Sequence, residues 1–363
     1  MPTDLKIPPA RLVRVVERAR HHLYRLHQRL VPAPIAIAEL IVGAWVSQAI
    51  QVAAKLRIAD ALANEPLTLN DLARRVGADP DALHRLLRAL ISRGIFRQQR
   101  DGRYALTSLA DTLRADAPVS MAGLALFIGS SRYREHWSLL AESVTTGKPS
   151  VPLLRGREFF DFLEQDSDFA ALFNDAMTSV AELAEAAIVA GYDFSPYPTI
   201  VDVGGGHGGM LSAILAATPA ARGVLYDLPD VVAGAPALLK LRGVEHRVQI
   251  ECGSFFDDIP AGGDAYVLKN VIHDWPDERA ATILRNVRAA IGDGATVLLI
   301  ELVIPTHDRD FLGKWSDLEM LLQLDGRERN AVQYRDLLRH SGFRMTRVVQ
   351  TATPFSIVEA RPS

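Results

Sequence analysis

The sequence has 363 residues, 48% of them hydrophobic and 23% charged, which is long enough for two globular domains with substantial cores. A formal net charge of -3 gives no general electrostatic reason to expect a nucleic acid partner, and the single cysteine, Cys252, excludes an intramolecular disulfide and a cysteine-based zinc cluster. The first ten residues lack the apolar core of a signal peptide, and no uncharged apolar run reaches the length of about 18 residues that spans a bilayer. We therefore expect a cytoplasmic protein without a membrane partner.

The first predicted element is a basic amphipathic helix over residues 11–30, within an N-terminal arm of residues 1–35. Spacings of four and three along it predict a seam that packs against another helix, in the same chain or in a second subunit. Because basic residues flank this seam, a helix on a membrane surface is the alternative. The prolines at 32 and 34 predict the end of the helix. The seam consists of Leu12, Val16, Ala19, Leu23, Leu26 and Leu30.

Residues 36–116 predict a small domain of three helices followed by a two-stranded hairpin. The expected helices cover residues 44–62, 68–77 and 79–93, and Asp101-Gly102 is a strong hairpin turn between two short apolar runs. This order is typical of a winged helix. A DNA-binding regulator is one interpretation, because six arginines could contact phosphate, although the leucines of the third helix leave it a narrow polar face. The arginines are Arg74, Arg75, Arg85, Arg88, Arg93 and Arg97.

The remaining chain divides into a helical segment and a segment of alternating strands and helices. Residues 117–195 are mostly helical. From residue 196 to residue 363, short apolar runs alternate with helical stretches, which predicts an α/β domain of the Rossmann type with a mostly parallel sheet. The last two strand-like runs, 345–350 and 355–359, resemble an antiparallel hairpin.

A glycine-rich loop follows the first strand of this domain, at residues 204–209. Its glycines, among them Gly204 and Gly206, let the backbone lie against a ligand at the start of a helix. A carboxylate two residues before the loop, Asp202, suits an ammonium group and would do nothing for a pyrophosphate. Asp227 ends the second strand and can accept hydrogen bonds from ribose hydroxyls. These features favour S-adenosylmethionine (SAM) and leave a nicotinamide dinucleotide as the alternative, since Asp227 suits both.

The glycine-rich loop is the first of five motifs whose order along the chain is typical of one family. They are the loop of residues 202–209, Asp227-Leu228-Pro229, the 253–256 run, the 269–275 run that contains His-Asp-Trp, and Gly326-Arg327-Glu328-Arg329. With them the chain resembles the SAM-dependent O-methyltransferases of secondary metabolism, which include plant caffeate and flavonoid enzymes and actinobacterial polyketide-tailoring enzymes. The resemblance covers nearly the whole chain. It implies that residues 36–116 form a dimerisation domain, that the partner is a second copy, and that S-adenosylhomocysteine (SAH) is the product of the cofactor.

The resemblance also implies roles for the cofactor-binding residues. Gly204 and Asp227 would hold the methionine end and the ribose, Lys269 would lie near the cofactor, and Trp275 offers a surface for stacking against adenine. Many relatives have aspartate where this chain has Ser254, whose hydroxyl can still accept a hydrogen bond. The complete predicted set is Asp202, Gly204, Gly206, Asp227, Leu228, Ser254, Phe255, Lys269 and Trp275.

His273 is the predicted general base for removing a proton from a substrate hydroxyl. It follows the fourth strand, at the sheet edge where open α/β sheets bind ligands. Locally, a histidine beside a helix start is equally consistent with a purely structural role, and the family motif favours the base. Glu301 interrupts an apolar strand beside it, which predicts a carboxylate bonded to the imidazole, with a structural ion pair as the alternative. Glu328 matches a second flanking carboxylate of the family but could also lie in a solvated loop.

The acceptor of the methyl group is expected to be a hydroxyl on a small aromatic or polyketide-like molecule. N-methylation or another tailoring reaction that uses SAM is the alternative, and no metal site is predicted, because the remaining histidines lack ligand spacing. The helix around Phe173 matches the family's helix near the substrate. The predicted substrate-binding residues suggest an apolar, partly aromatic pocket. They are Phe127, Trp137, Phe173, Met177, Asn270 and Met320.

Overall fold

The structure is a computed structural model that describes residues 7–363, apart from the side chains of Glu182 and Leu183. The chain forms two compact units. One consists of residues 7–23, 141–156 and 184–363, and the other of residues 24–140 and 157–183. The predicted helical segment 117–195 thus contributes to both units.

Two long helices open the chain, α1 (Ala10–Arg29) and α2 (Ala33–Lys55). The predicted break lies between them, but α2 begins eleven residues before the expected start at 44. Pro34 is tolerated there because a backbone N–H in the first turn of a helix has no partner within the helix, so proline loses nothing by lacking one. None of the side chains of α1 is buried, and the predicted seam stays exposed, with Leu23 65% and Leu30 73% accessible. In the part of the chain that the structure describes, α2 is the one helix long and apolar enough to cross a membrane, a weak criterion that core helices also meet.

The unit that contains residues 24–140 has a core of short helices and a hairpin. Arg57, with a positive φ of 52°, separates α2 from α3, so the helix expected to reach residue 62 ends early. Side chains of Thr68 and Asp79 cap α4 and α5, as their sequence patterns indicate. β1 and β2 pair antiparallel with Phe96 opposite Leu106. The bounds are α3 (Ile58–Ala61), α4 (Leu69–Val76), α5 (Pro80–Ser92), β1 (Phe96–Gln98), β2 (Tyr104–Leu106) and α6 (Ser108–Asp111).

Six helices follow before the large sheet begins. They are α7 (Ala122–Gly129), α8 (Ser131–Ser138), α9 (Leu140–Thr146), α10 (Ser150–Arg155), α11 (Phe159–Gln165) and α12 (Ser167–Gly191). Within their own unit, α7 packs along α2, and Gly129 allows this approach, because a Cβ there would lie 2.2 Å from Gln51 Cγ.

The second unit is built on a seven-stranded sheet in the order β5-β4-β3-β6-β7-β9-β8. The first five strands in sequence are parallel, and β9 inserts antiparallel between β7 and β8. The predicted α/β class and the terminal hairpin are thereby confirmed. Its strands are β3 (Thr199–Val203), β4 (Arg222–Asp227), β5 (Val248–Cys252), β6 (Ala265–Lys269), β7 (Thr296–Glu301), β8 (Phe343–Gln350) and β9 (Ser356–Pro362).

Helices cover both faces of this sheet and bury two apolar layers against it. On one face α13 and α15 pack against β3 and β4, and on the other α16 and α18 pack against β6 and β7. The helices are α13 (Gly209–Ala217), α14 (Pro229–Val232), α15 (Ala235–Leu241), α16 (Asp277–Ala290), α17 (Leu312–Gln323) and α18 (Ala331–His340). The central strands β3, β6 and β7 are buried almost throughout, and polar side chains lie at their carboxyl ends and at that of β4.

Candidate active site

The glycine-rich loop joins β3 to α13 at the carboxyl edge of the sheet. Gly204 and Gly206 both have positive φ, at 69° and 60°. A Cβ on Gly204 would lie 2.8 Å from Val271 Cγ2, so this position is closed to other residues by both conformation and space. The loop is a surface of bare backbone at the start of a helix, which is the arrangement the sequence predicts for a nucleotide-like ligand.

Asp227, at the end of β4, holds this loop in place. Its Oδ2 accepts a hydrogen bond of 2.8 Å from the N–H of Gly206, and its Oδ1 accepts one of 2.7 Å from the N–H of Leu228. Burial raises the pKa of the Asp227 carboxyl, and the two backbone N–H groups oppose that shift. Each carboxylate oxygen keeps capacity to accept a further hydroxyl proton. Leu228 itself is exposed.

Asp202 lies beneath the loop and is almost completely buried. Its Oδ2 has no hydrogen-bond partner among the described residues and lies 2.8 Å from the position of a Cβ on Gly205. Burial raises the pKa of Asp202 to about 7, although Lys269 favours its charged form. Burial also lowers the pKa of the Lys269 ammonium, against the carboxylates of Glu185, Asp202 and Glu301. A buried carboxylate oxygen without a donor fits the prediction that a ligand donates to it.

Aromatic side chains border the same edge beyond β5. The ring centres of Phe256 and Trp275 lie 4.8 Å apart, and the Arg279 guanidinium lies 4.1 Å from the Trp275 ring centre. Phe255 lies edge-on to Trp275 at 6.2 Å. Ser254 Oγ accepts a hydrogen bond from the N–H of Phe256, which shapes the turn. The predicted adenine-bordering residues are therefore neighbours in space.

His273 lies on a short 3-10 turn after β6 and is buried between carboxylates. Its Nδ1 lies 2.8 Å from Glu328 Oε1, and its Nε2 lies 3.3 Å from Asp274 Oδ1. Glu301, at the end of the neighbouring strand β7, accepts a 3.0 Å hydrogen bond from the N–H of Ile272. The ligand atoms of His273, Glu301 and Glu328 all lie within 4.8 Å of one another, close enough to hold a metal ion, so the absence of a metal site stays a prediction.

The two glutamates make different hydrogen bonds from those that the sequence predicts. The sequence predicts that Glu301 bonds the imidazole, whereas in the structure Glu328 bonds Nδ1 and Glu301 bonds the backbone beside it. The reason is the parallel register of β6 and β7, which places Glu301 next to the turn that begins at Ile272. Glu328 is 2% exposed, so the solvated-loop alternative is excluded.

The carboxylates dominate the electrostatics of the imidazole. Burial by itself would lower the pKa of His273. The carboxylates of Asp274, Glu328 and Glu301 outweigh burial and raise that pKa to about 10. Burial in turn raises the pKa of Glu301 to about 7 and that of Asp274 to about 6. The carboxylates therefore favour the protonated ring, and the neutral form that can accept a proton is populated mainly at alkaline pH.

The predicted substrate-binding residues fall into two groups, one in each unit. Phe127, Trp137, Phe173 and Met177 belong to the unit of residues 24–140 and 157–183, and Asn270 and Met320 belong to the other. Phe127 is the centre of an aromatic cluster, with Phe169 at 5.3 Å and Phe173 at 5.7 Å. The ring centres of Trp137 and Tyr133 lie 6.3 Å apart in the same unit, and the side chain of Met177 is 38% exposed.

The two predicted substrate residues of the sheet unit lie at different elements. Asn270 follows β6 with a positive φ of 54°, and its side-chain oxygen is buried without a partner among the described residues. Met320 is buried on α17.

Two segments of the chain, one in its N-terminal third and one in the remainder, match models of known protein families. Residues 137–344 match the O-methyltransferase domain, and residues 38–116 match the O-methyltransferase dimerisation domain. The chain is 40% identical over 332 residues to the phenazine O-methyltransferase PhzM of Lysobacter antibioticus, which covers 92% of this chain and 97% of that protein. The chain belongs to the O-methyltransferase family.

Two other relatives bear on the cofactor and the reaction. An O-methyltransferase from neocarzinostatin biosynthesis, solved with SAM and 2-hydroxy-5-methyl naphthoic acid, has a TM-score of 0.74 at 35% identity, over 88% of this chain and 96% of that chain. An 8-amino-8-demethylriboflavin N,N-dimethyltransferase of Streptomyces davaonensis is 34% identical over 310 residues, 85% of this chain and 89% of that protein. The prediction of a SAM-dependent small-molecule O-methyltransferase is confirmed, and so is the family; the roles of individual residues stay predictions.

Sequence reasoning missed two residues that build the site of this O-methyltransferase. The guanidinium of Arg329 is fully buried and donates to the carbonyls of Ile272 and Trp275, at 2.9 and 2.8 Å, and to Asp277. The hydroxyl of Ser316 donates to Glu328 Oε1 at 2.7 Å. An arginine in a charged run is usually exposed, and a lone serine on a helix carries no signal, so neither role was readable from the sequence.

Proposed function

We propose that this chain transfers the methyl group of SAM to a hydroxyl of a small aromatic molecule, with His273 as the general base. The observation that supports it is the imidazole of His273 held between the carboxylates of Glu328 and Asp274, at the carboxyl edge of the sheet. This is the edge at which α/β sheets bind their ligands. The glycine loop and Asp227 lie along the same edge.

The residues around the loop fit SAM. Asp227 has acceptor capacity left for ribose hydroxyls, and the unpartnered buried oxygen of Asp202 suits the ammonium group of the methionine moiety. Ser254, Phe255 and Trp275 would border the adenine. When bound, SAM supplies an electrophilic sulfonium methyl group, and it leaves as SAH. Gly204, Gly206, Leu228 and Lys269 complete the proposed set.

In the proposed mechanism, Nε2 of His273 removes the proton of the substrate hydroxyl while the oxygen forms its bond to the methyl carbon. The proton taken from the hydroxyl would stay on the imidazole until it is released to solvent. Glu328 stabilises the resulting imidazolium through Nδ1, and Glu301 holds the turn that carries the ring. A base whose pKa is raised to about 10 matches a phenol, whose pKa is also near 10, so the proton transfer is close to balanced.

The aromatic cluster around Phe127 supports an aromatic acceptor. Phe127 and Phe169 are buried within this cluster, and the half-buried ring of Phe173 is the one of the three that could stack against a flat ligand. One relative is named for a phenazine and another was solved with 2-hydroxy-5-methyl naphthoic acid bound, and both molecules are aromatic. We propose that Phe127, Trp137, Phe173, Met177, Asn270 and Met320 contact the acceptor.

The function is tested by incubating the protein with SAM that carries a trideuterated methyl group and a panel of phenols, naphthols and matched anilines. We expect the label on a hydroxyl oxygen of at least one phenol or naphthol, located by mass spectrometry and NMR. The matched anilines are the control, because they differ only in the acceptor atom. Label found only on nitrogen would contradict O-methylation and favour the N-methylating alternative, which one relative performs.

We further propose that residues 36–116 are the dimerisation domain of a homodimer, with residues 1–35 as an arm, residues 117–195 as a linker to the pocket and residues 196–363 as the SAM-binding domain. The exposed apolar side chains of α1 and α2, which include Leu23 at 65% and Trp45 at 73%, support a second copy as the covering surface. A cytoplasmic enzyme fits the single cysteine.

We expect light scattering to give twice the chain mass of 39.7 kDa, because an exposed apolar surface of this kind favours association. Replacing Trp45 and Ile41 with glutamate should lower the measured mass towards that of one chain. The matched control replaces the exposed Leu241 of the other unit with glutamate and should leave the mass unchanged. A monomer in the unmodified protein would contradict the proposal.

A further inference from the structure

The hydrogen bond to the imidazole of His273 is one link in a longer chain that begins on helix α17. The hydroxyl of Ser316 donates to Glu328 Oε1 at 2.7 Å, and the same oxygen lies 2.8 Å from His273 Nδ1. We infer that Ser316 is a positioning residue, which orients the Glu328 carboxylate so that it holds the proposed base. This inference rests on the proposed function.

The residue next to Ser316 holds the backbone of the same glutamate. Asp317 Oδ1 accepts a 2.9 Å hydrogen bond from the N–H of Glu328. Two consecutive residues of α17 therefore fix both the main chain and the carboxylate of Glu328. A carboxylate fixed at both points can present one oxygen to the imidazole without rotating away.

The carboxylate needs this second donor. The other oxygen of Glu328, Oε2, is buried and has no hydrogen-bond partner among the described residues. Without the hydroxyl of Ser316, the bond to His273 would be the one side-chain hydrogen bond among the described residues that opposes rotation of the carboxylate. Since each donor to a buried carboxylate restricts its rotation, loss of the hydroxyl would weaken the hold of Glu328 on the imidazole.

Helix α17 is itself anchored at its start. The Lys314 ammonium donates to the carbonyls of His307 and Arg309, at 2.7 and 3.0 Å, and Trp315 Nε1 donates to Asp310 at 2.9 Å. Ser316 is thus attached to a helix whose first turn is tied to the preceding loop. Met320, a proposed substrate contact, lies four residues further along, on the same side of α17 as Ser316.

The test compares Ser316→Ala with Ser316→Thr, which keeps the hydroxyl. In the unmodified protein, activity requires the neutral imidazole, and Asp274, Glu328 and Glu301 all raise the pKa of His273. We therefore expect kcat/KM to rise with pH through an apparent pKa above the ordinary histidine value of about 6.5. Ser316→Ala should lower kcat about tenfold on the alkaline plateau, where the imidazole is neutral in both proteins, and move the limb to lower pH, because the loosened carboxylate stabilises the imidazolium less. Ser316→Thr should restore both.

A measurement without turnover separates this inference from the proposed function. In the SAH-bound protein, NMR titration of the His273 ring signal, assigned by its absence in His273→Ala, should give a lower pKa in Ser316→Ala than in the unmodified protein. The exposed hydroxyl of Ser92 provides the control, and Ser92→Ala should leave both the rate and the titration unchanged. An unchanged His273 pKa in a folded Ser316→Ala protein, or one that rises, would overturn the positioning role, whatever reaction the enzyme performs.

Discussion

Replacing His273 with alanine is expected to lower kcat for methyl transfer by about 10²- to 10⁴-fold, which is the usual contribution of a positioned general base. The imidazole is held at Nδ1 by Glu328 at 2.8 Å, while Nε2 lies 3.3 Å from Asp274 and is the nitrogen proposed to take the proton. Alanine leaves no group to take the hydroxyl proton. We expect the dissociation constants of SAM and SAH to change less than threefold, because the loop and Asp227 are untouched.

The measurement pairs initial rates with calorimetric titration of SAH. His246→Ala is the matched control, since His246 is exposed on a short turn of the same unit. At high pH, where a phenol ionises by itself, the rate of the His273→Ala variant should recover in part. A variant that retains more than half of the unmodified rate at neutral pH would show that another group, or solvent, accepts the proton.

Replacing Arg329 with methionine is expected to lower the free energy of unfolding by about 2–6 kcal/mol, because two carbonyl groups would each lose a donor at about 1–3 kcal/mol. Arg329 is fully buried, and its guanidinium satisfies the carbonyls of Ile272 and Trp275 as well as Asp277. Methionine fills a similar volume, so a cavity contributes little. The cost comes from carbonyl groups left buried without donors, each worth about 1–3 kcal/mol.

The same variant should also lose activity, because Arg329 holds the turn that carries His273 from both sides. The measurement is denaturant unfolding followed by fluorescence, together with the rate below the transition. The exposed Arg335 on α18 pairs with Asp336 at the surface, and Arg335→Met should change stability by less than about 0.5 kcal/mol. A loss below about 1 kcal/mol for Arg329→Met would mean that water or a local shift replaces the guanidinium.

The local sequence pattern was sufficient to predict the strands of the sheet and the polar residues at its carboxyl edge. Strands β3, β4, β6 and β7 are continuous apolar runs with a polar residue at or just after each carboxyl end, and the parallel order of a Rossmann-type sheet brings those ends together. Asp202, Asp227, His273 and Glu301 could therefore be placed at one edge from the sequence. The glycine loop was equally legible, because its conformation needs glycine at Gly204.

The ends of helices were harder to predict where the same residues are compatible with both the end of one helix and the start of the next. Prolines 32 and 34 end α1 but also begin α2, since proline suits the first turn of a helix as well as it disrupts the interior. Arg57 adopts a left-handed conformation just after α2, and because this position is usually glycine, the sequence carries no signal that the helix ends here.

The sequence by itself determined the fold class, the family and the strand-end residues, because these follow from periodicity and from motifs within a few positions of one another. Only the tertiary structure decided that Glu328, 55 residues after His273, bonds Nδ1 in place of Glu301, and that Ser316 and Arg329 support this arrangement. The physical reason is that a hydrogen bond tolerates only a few tenths of an ångström in donor–acceptor distance, which the fold sets between segments far apart in sequence. The Gly326 loop brings Glu328 to the imidazole by lying against the His273 carbonyl, where a Cβ would be 2.2 Å away.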